Sequence, residues 1–148
     1  MYYIGVEAGG TKFNCIIAED AQQIIAERRI PTTNPDETVQ KTLQFVKNTI
    51  TSAHIKIKAL GIGSFGPLNL DPNSPDFGCI TSTPKSNWRN FNIKQVFEEE
   101  LQIPTVIDTD VNAAAFGEYV WGAGKGKDYV LYLTIGTGIG GGLVIHGK

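Results

Sequence analysis

Tyr3-Ile4-Gly5-Val6-Glu7-Ala8-Gly9-Gly10-Thr11-Lys12-Phe13-Asn14-Cys15-Ile16-Ile17-Ala18 sets an apolar run, a turn of glycine and threonine, and a second apolar run in succession. That order predicts a β-hairpin, with Tyr2 to Val6 as one strand, Glu7 to Thr11 as the turn and Phe13 to Ala18 as the return. The plan recurs near the other end. Tyr129 to Ile135 runs into Gly136-Thr137-Gly138-Ile139-Gly140-Gly141, and Leu143-Val144-Ile145 continues as a strand. One architecture thus begins twice. Residues 1–122 read as a first domain, and 123–148 as the start of a second that is truncated after its first hairpin.

Neither glycine turn is what its letters suggest. The run from Gly136 to Gly141 matches G-x-G-x-x-G, but a dinucleotide turn must open a helix, and here a strand follows. Gly5 to Lys12 imitates a phosphate-binding P-loop, yet its order is Thr-Lys instead of Lys-Ser/Thr, and again a strand follows. Each alone fits a hairpin selected for turn geometry. As a pair they favour a different use, because glycine lets backbone N–H groups approach a phosphate chain closely. Thr11 and Thr137 add hydroxyl donors and Lys12 adds positive charge.

Between the hairpins, Ile24 to Arg29 continues the meander as a third strand. Asn34 offers a helix cap, with Pro35 at the first helical position and Val39, Leu43, Val46 and Ile50 along one face. Lys58 to Ser64 reads as a strand, residues 65–90 as one long loop region, Ile93 to Leu101 as a helix, Thr105 to Ile107 as a strand and Val111 to Trp121 as a helix. Strands alternating with helices make an α/β domain. A loop of that length is usually functional or mobile. Gly61 to Pro67 and Thr83 to Trp88 look like pocket walls, with backbone near Gly66 binding sugar hydroxyls and Trp88 either stacking on a sugar ring or closing over the core.

Asp108-Thr109-Asp110-Val111-Asn112-Ala113-Ala114-Ala115 leaves a strand and opens a helix. An acidic residue there ordinarily serves as the cap. The alanines that follow allow close helix packing, and Asn112 adds a second polar group at the same helix end. A carboxylate at the mouth of a sheet can take a proton from a hydroxyl, and the helix dipole favours its ionised state. Asp110 is preferred over Asp108 because helix-start geometry aims it at the crevice where open α/β sheets bind ligands. Glu118, eight residues further on, reads as a solvated or capping group.

Composition bounds these readings. A formal charge of −2, from 13 Lys and Arg against 15 Asp and Glu, gives no excess of cations for nucleic acid or an anionic membrane. No segment approaches a bilayer-spanning length and the start lacks a basic leader, so the expected location is the cytoplasm. Cys15 and Cys79 have neither metal spacing nor disulfide density and read as reduced and structural. His54 and His146 have no carboxylate or second histidine near them in sequence, and no residue is assigned to a metal.

Taken in order, Glu7-Ala8-Gly9-Gly10-Thr11-Lys12, Gly61 to Pro67, Thr83-Pro84-Lys85, Asp108 to Asn112 and Leu133 to Gly140 resemble the successive motifs of the ROK sugar kinases, across the whole chain. Many members carry Asp where this chain has Glu7, and the variant here looks like the fructokinase branch. The resemblance implies an actin-like (ribonuclease H-like) ATPase domain, a mixed sheet with flanking helices, and a kinase that uses ATP and Mg2+ to phosphorylate a hexose. It implies that Asp110 is the general base, that Gly66, Pro67, Lys85, Trp88 and Asn112 stand on the sugar side, and that Gly9, Gly10, Thr11, Lys12, Thr134, Gly136, Thr137 and Gly138 form the phosphate loops. Glucose, mannose and N-acetylmannosamine are the alternative substrates to fructose. The family's zinc segment, further sugar contacts and adenosine pocket belong to a carboxy-terminal part beyond Lys148. The family also contains repressors, but the first strand begins at Tyr2 and leaves no room ahead of it for a DNA-binding unit. Closure of an active site needs both walls, so the isolated chain is expected to bind sugar weakly at best and to turn over little. The unpaired edge of the second hairpin invites a homodimer.

Overall fold

A computed structural model of the chain describes residues 1–136 and 138–148. The first hairpin forms as β1 (Tyr2–Ala8) and β2 (Lys12–Ala18), and β3 (Ile24–Pro31) continues the meander two residues beyond the expected Arg29. With β4 (Ile57–Ser64) and β7 (Thr105–Thr109) they make a five-stranded sheet in the order β3-β2-β1-β4-β7. β1, β2 and β3 pair antiparallel, whereas β1, β4 and β7 run parallel, so the sheet is mixed.

Alternation decides which face is buried. Ile4, Val6 and Ala8 of β1, Phe13, Cys15 and Ile17 of β2, and Leu60 and Ile62 of β4 lie in register on one face, where they form the core. α1 (Pro35–Ala53) and α2 (Ile93–Leu101) cover that face. Asn34 caps α1 by accepting the Glu37 N–H at 2.9 Å, and Val39, Leu43 and Val46 bury the expected stripe. α2 contributes Ile93 and Phe97. Burial pushes the Cys15 thiol up to about 12, so it remains a protonated core residue. Cys79 is likewise free and buried.

The long segment after β4 is ordered around one side chain. Trp88 is 1% exposed, with Phe13, Phe65 and Phe91 ring centroids 5.5, 5.6 and 5.5 Å away, and its Nε1–H donates to the Thr33 carbonyl at 2.8 Å. A short 3-10 turn (Ser86–Trp88) delivers it, and β5 (Cys79–Ile80) pairs with β6 (Phe91–Asn92) to close the segment. The indole therefore anchors the loop in the core.

α3 (Asp110–Trp121) lies on the opposite face of the sheet, close enough that a Cβ on Gly63 would stand 2.8 Å from the Ala113 Cβ. The alanines do permit the close approach expected of them. β8 (Tyr129–Ile135) and β9 (Ile139–Ile145) form a separate two-stranded sheet packed on α3. Val144 is buried against the body, while Leu131, Leu133, Ile135, Ile139 and Leu143 face outward, Ile135 and Ile139 being 77% and 79% exposed. No helix among the described residues is long and apolar enough to cross a membrane.

Candidate functional site

Parallel pairing brings three strand ends to one edge of the sheet, since Ala8 is in register with Ser64 and Ser64 with Thr109. The first glycine turn, the loop from Phe65 to Pro67 and the start of α3 therefore leave the sheet side by side. Ligands of open α/β sheets bind at such an edge. A cleft of about 350 Å³ lies on the neighbouring sheet face between β1, β2 and α3, lined by Gly5, Glu7, Asn14, Gly63, Asp110 and Ala113 among others; of the expected site residues, Asp110 alone lines it among the described residues. A larger groove of about 730 Å³ between β3 and α1 holds none of the expected site residues.

Asp110 enters this cleft relieved of capping duty. Thr109 is the cap instead, its Oγ1 accepting the Asn112 N–H at 3.2 Å. The helix thus starts at Asp110, one residue earlier than the expected Val111. Asp110 Oδ1 accepts the Val111 N–H at 2.9 Å, and among the described residues no side chain donates to this carboxylate. Burial pushes its carboxyl above the ordinary value, against the lowering by the Val111 and its own backbone N–H, and the nearby Glu7 charge adds to the rise. The helix start was expected to favour the ionised form, and desolvation outweighs it. A carboxyl moved toward neutral pH is better matched to accepting a proton. Asp108 is committed elsewhere, accepting the Thr109 N–H at 2.7 Å and the Asn112 Nδ2 at 2.8 Å. Asn112 accordingly spends its amide donor on the strand end.

By sequence Glu7 is only a branch variant within the expected turn, with no site role assigned to it. It is a β1 residue, opposite Asn14 of β2 and Gly63 of β4, and points to the cleft face. The available signal was a carboxylate breaking an apolar strand one residue before the turn.

In the first turn Gly9 N–H donates to the Lys12 carbonyl at 3.0 Å, and a Cβ on Gly9 would stand 2.7 Å from that oxygen, so this turn requires glycine. Thr32 braces the turn, its Oγ1 donating to the Gly9 carbonyl at 2.7 Å and its N–H to the Thr11 carbonyl at 2.9 Å. Thr11 and Lys12 are exposed. The Lys85 stem lies 3.3 Å from where a Gly10 Cβ would be, which brings a second cation to the same turn. Gly66 and Pro67, joined by a cis peptide, leave β4 at this edge, where the Phe65 N–H donates to Ala8 at 2.8 Å. Of the two uses expected of Trp88, the structure shows closure over the core and not the sugar side that the resemblance implied, its ring being packed among three others and its N–H bonded.

The second hairpin reaches the same helix start from another side. A Cβ on Gly142 would collide with the Val111 carbonyl oxygen, and one on Gly140 would stand 3.0 Å from Val111 Cγ1. Thr134, one residue before the end of β8, pairs with Gly140, and Gly136 and Gly138 have open space where a Cβ would sit. Thr137 lies outside the described residues. Glu118 keeps its bland role, its carboxylate accepting the Ala123 N–H at 2.8 Å at the end of α3.

Glu7 and Asp110 line one cleft, with Lys12 and Lys85 at the nearby first turn; these are the residues that would hold a divalent cation and phosphates. Among the described residues no three His, Cys, Asp or Glu side chains cluster to hold a metal. Magnesium needs no such cage, being held by one or two carboxylates together with phosphates.

The ROK family matches residues 3–148. A putative fructokinase of Bacillus subtilis (strain 168) is 45% identical over 144 residues, 97% of this chain and 46% of that protein. A fructokinase of Zymomonas mobilis subsp. mobilis is 45% identical over 143 residues, 97% of this chain and 48% of its own. The crystal structure of a ROK family glucokinase from Streptomyces griseus, in complex with glucose and AMPPNP, superposes with a TM-score of 0.77 at 31% identity, covering 100% of this chain and 46% of that one. The chain thus spans about half the length of these relatives.

Proposed function

Because the chain belongs to the ROK family, whose fold is actin-like, we propose that it forms the sugar side of an ATP-dependent hexose kinase acting on fructose. Residues 1–122 are its sugar domain and 123–148 open the nucleotide-side domain. The observation that carries the reading is Asp110, a carboxylate freed from capping by Thr109 and raised by burial, in a cleft beside the first glycine turn. The relatives named fructokinase favour fructose over glucose, mannose or N-acetylmannosamine.

When bound, Mg-ATP supplies the γ-phosphoryl group and a cation that screens its charge. Asp110 takes the proton of the sugar hydroxyl. Backbone groups of Gly9 and Gly10, with Thr11, Lys12 and the neighbouring Lys85, hold negative charge at the first turn, and Thr134, Gly136, Thr137 and Gly138 do so from the second hairpin. Gly66, Pro67, Lys85 and Asn112 border the sugar, Lys85 standing between it and the first turn. Positioning and charge stabilisation carry most of the barrier reduction.

The test is a coupled assay of a polypeptide of the relatives' full length with fructose, glucose, mannose and N-acetylmannosamine. Fructose is expected to give the highest kcat/KM. Asp110→Asn is expected to lower kcat by about 10²–10⁴-fold while fructose binding stays measurable. Turnover near that of the unchanged enzyme defeats the assignment. Alone, the 148-residue chain is expected to show little or no turnover, because an open cleft does not exclude water.

A further inference from the structure

Glu7, Asn14 and Arg29 stand in a row across β1, β2 and β3, because register sets Glu7 opposite Asn14 and Asn14 opposite Arg29. Arg29 Nε donates to Asn14 Oδ1 at 3.3 Å, and Asn14 Nδ2 donates to Glu7 Oε2 at 2.6 Å. We propose that Asn14 and Arg29 are positioning residues that hold the Glu7 carboxylate, one oxygen capped and the other open, for a divalent cation in the Asp110 cleft. The cation role of Glu7 rests on the kinase reading; the chain of donors is this protein's own.

The polarity of that chain is forced. A guanidinium only donates, so it takes the amide oxygen of Asn14 and turns the NH2 group toward Glu7, which accepts most strongly when ionised. Oε2 is thereby occupied. Oε1 has no hydrogen-bond partner among the described residues and remains for the cleft that Glu7 shares with Asp110. Without the relay a glutamate side chain has several rotamers and its carboxylate is free to turn away from its neighbour. Ligand-orienting partners of this kind are what fix a metal-binding carboxylate.

The test uses the 148-residue chain and Mn2+ alone as probe, read by paramagnetic broadening in the amide NMR spectrum. In the unchanged chain, signals of Gly5 to Ala8, the Asn14 side-chain amide and Asp110 to Ala113 are expected to broaden first. Asn14→Leu and Arg29→Met are each expected to raise the Mn2+ concentration needed by about tenfold or more, with the other signals unmoved. The Arg29 variant carries the sharper sign. Removing a positive charge by itself would tighten cation binding, so weakening reports lost positioning. Tighter or unchanged binding in Arg29→Met, a change below about twofold in Asn14→Leu, or broadening confined to other parts of the chain overturns the proposal. Failure of the kinase reading would look different: Asp110→Asn in the full-length enzyme would keep its turnover while the relay variants still weakened Mn2+ binding.

Discussion

Gly142→Ala probes the joint on which the candidate site depends. The added Cβ would overlap the Val111 carbonyl oxygen and stand 2.9 Å from the Asn112 nitrogen, and both are backbone atoms of the first turn of α3. Neither can rotate away, so β9 or the helix start must move by roughly 1 Å to restore contact distance. Overpacking of this kind costs about 1–3 kcal/mol, while Gly→Ala returns about 0.4–1 kcal/mol by restricting the unfolded chain. The clash exceeds the gain, leaving a net loss of about 1–2 kcal/mol. With a urea dependence of about 2 kcal/mol per molar, the unfolding midpoint of the chain should fall by about 0.5–1 M. The same shift moves the turn that carries Asp110, and in a full-length enzyme a misplacement of about 1 Å is expected to cost roughly 100-fold in kcat. Gly117→Ala is the control. It lies on the same helix with nothing within 4 Å of its would-be Cβ, and should stabilise the chain by up to about 1 kcal/mol. If Gly142→Ala left both the midpoint and the turnover unchanged, the close docking of β9 on α3 would be wrong.

Two further outcomes follow from the same geometry. Asp110 has a native pKa above its ordinary value of 3.8, so the native state holds the proton longer than the unfolded chain and wild-type stability falls as pH rises through the native value. Asp110→Asn is therefore expected to be more stable than wild type at neutral pH, with the advantage gone below pH 3.8; urea midpoints from pH 3 to 8 would show it, and an offset independent of pH would contradict it. Trp88→Ala should cost about 3–5 kcal/mol in thermal or urea unfolding, since it empties a core site ringed by Phe13, Phe65 and Phe91; loss of sugar binding with stability intact would return Trp88 to the sugar pocket.

The sequence displays whatever local pattern decides. The apolar run from Tyr2 to Val6, the Asn34 cap with Pro35, and the stripe of Val39, Leu43 and Val46 all became the elements they predicted, because each follows from residues within one strand or one helix. What it conceals is register and rivalry. Glu7 looked like a turn residue because two glycines follow it, yet pairing with Asn14 and Gly63 extends the strand through Ala8. At the start of α3 three residues competed for the cap, and only the fold shows that Thr109 takes it while Asp108 ties down Asn112. His146 had no carboxylate near it in sequence, but closing the β8–β9 hairpin sets it 3.7 Å from Asp128. Trp88 lay in a polar segment whose length pointed to a functional or mobile loop, and that residue orders it by packing on Phe13 and Phe65 from far along the chain and on Phe91 three residues on.

The two glycine hairpins are a different case, since their resemblance was visible but their meeting point was not. The first hairpin borders the cleft through Gly5 and Glu7, and Gly63 of the adjacent β4 admits Ala113 at close range. The second presses Gly140 and Gly142 on Val111. Both therefore converge on one turn of one helix, with Asp110 at its head. Glycines selected only to let the chain reverse direction would sit at the turns. Gly63, Gly140 and Gly142 lie within strands and are required because a helix start, and the carboxylate it carries, is held between them.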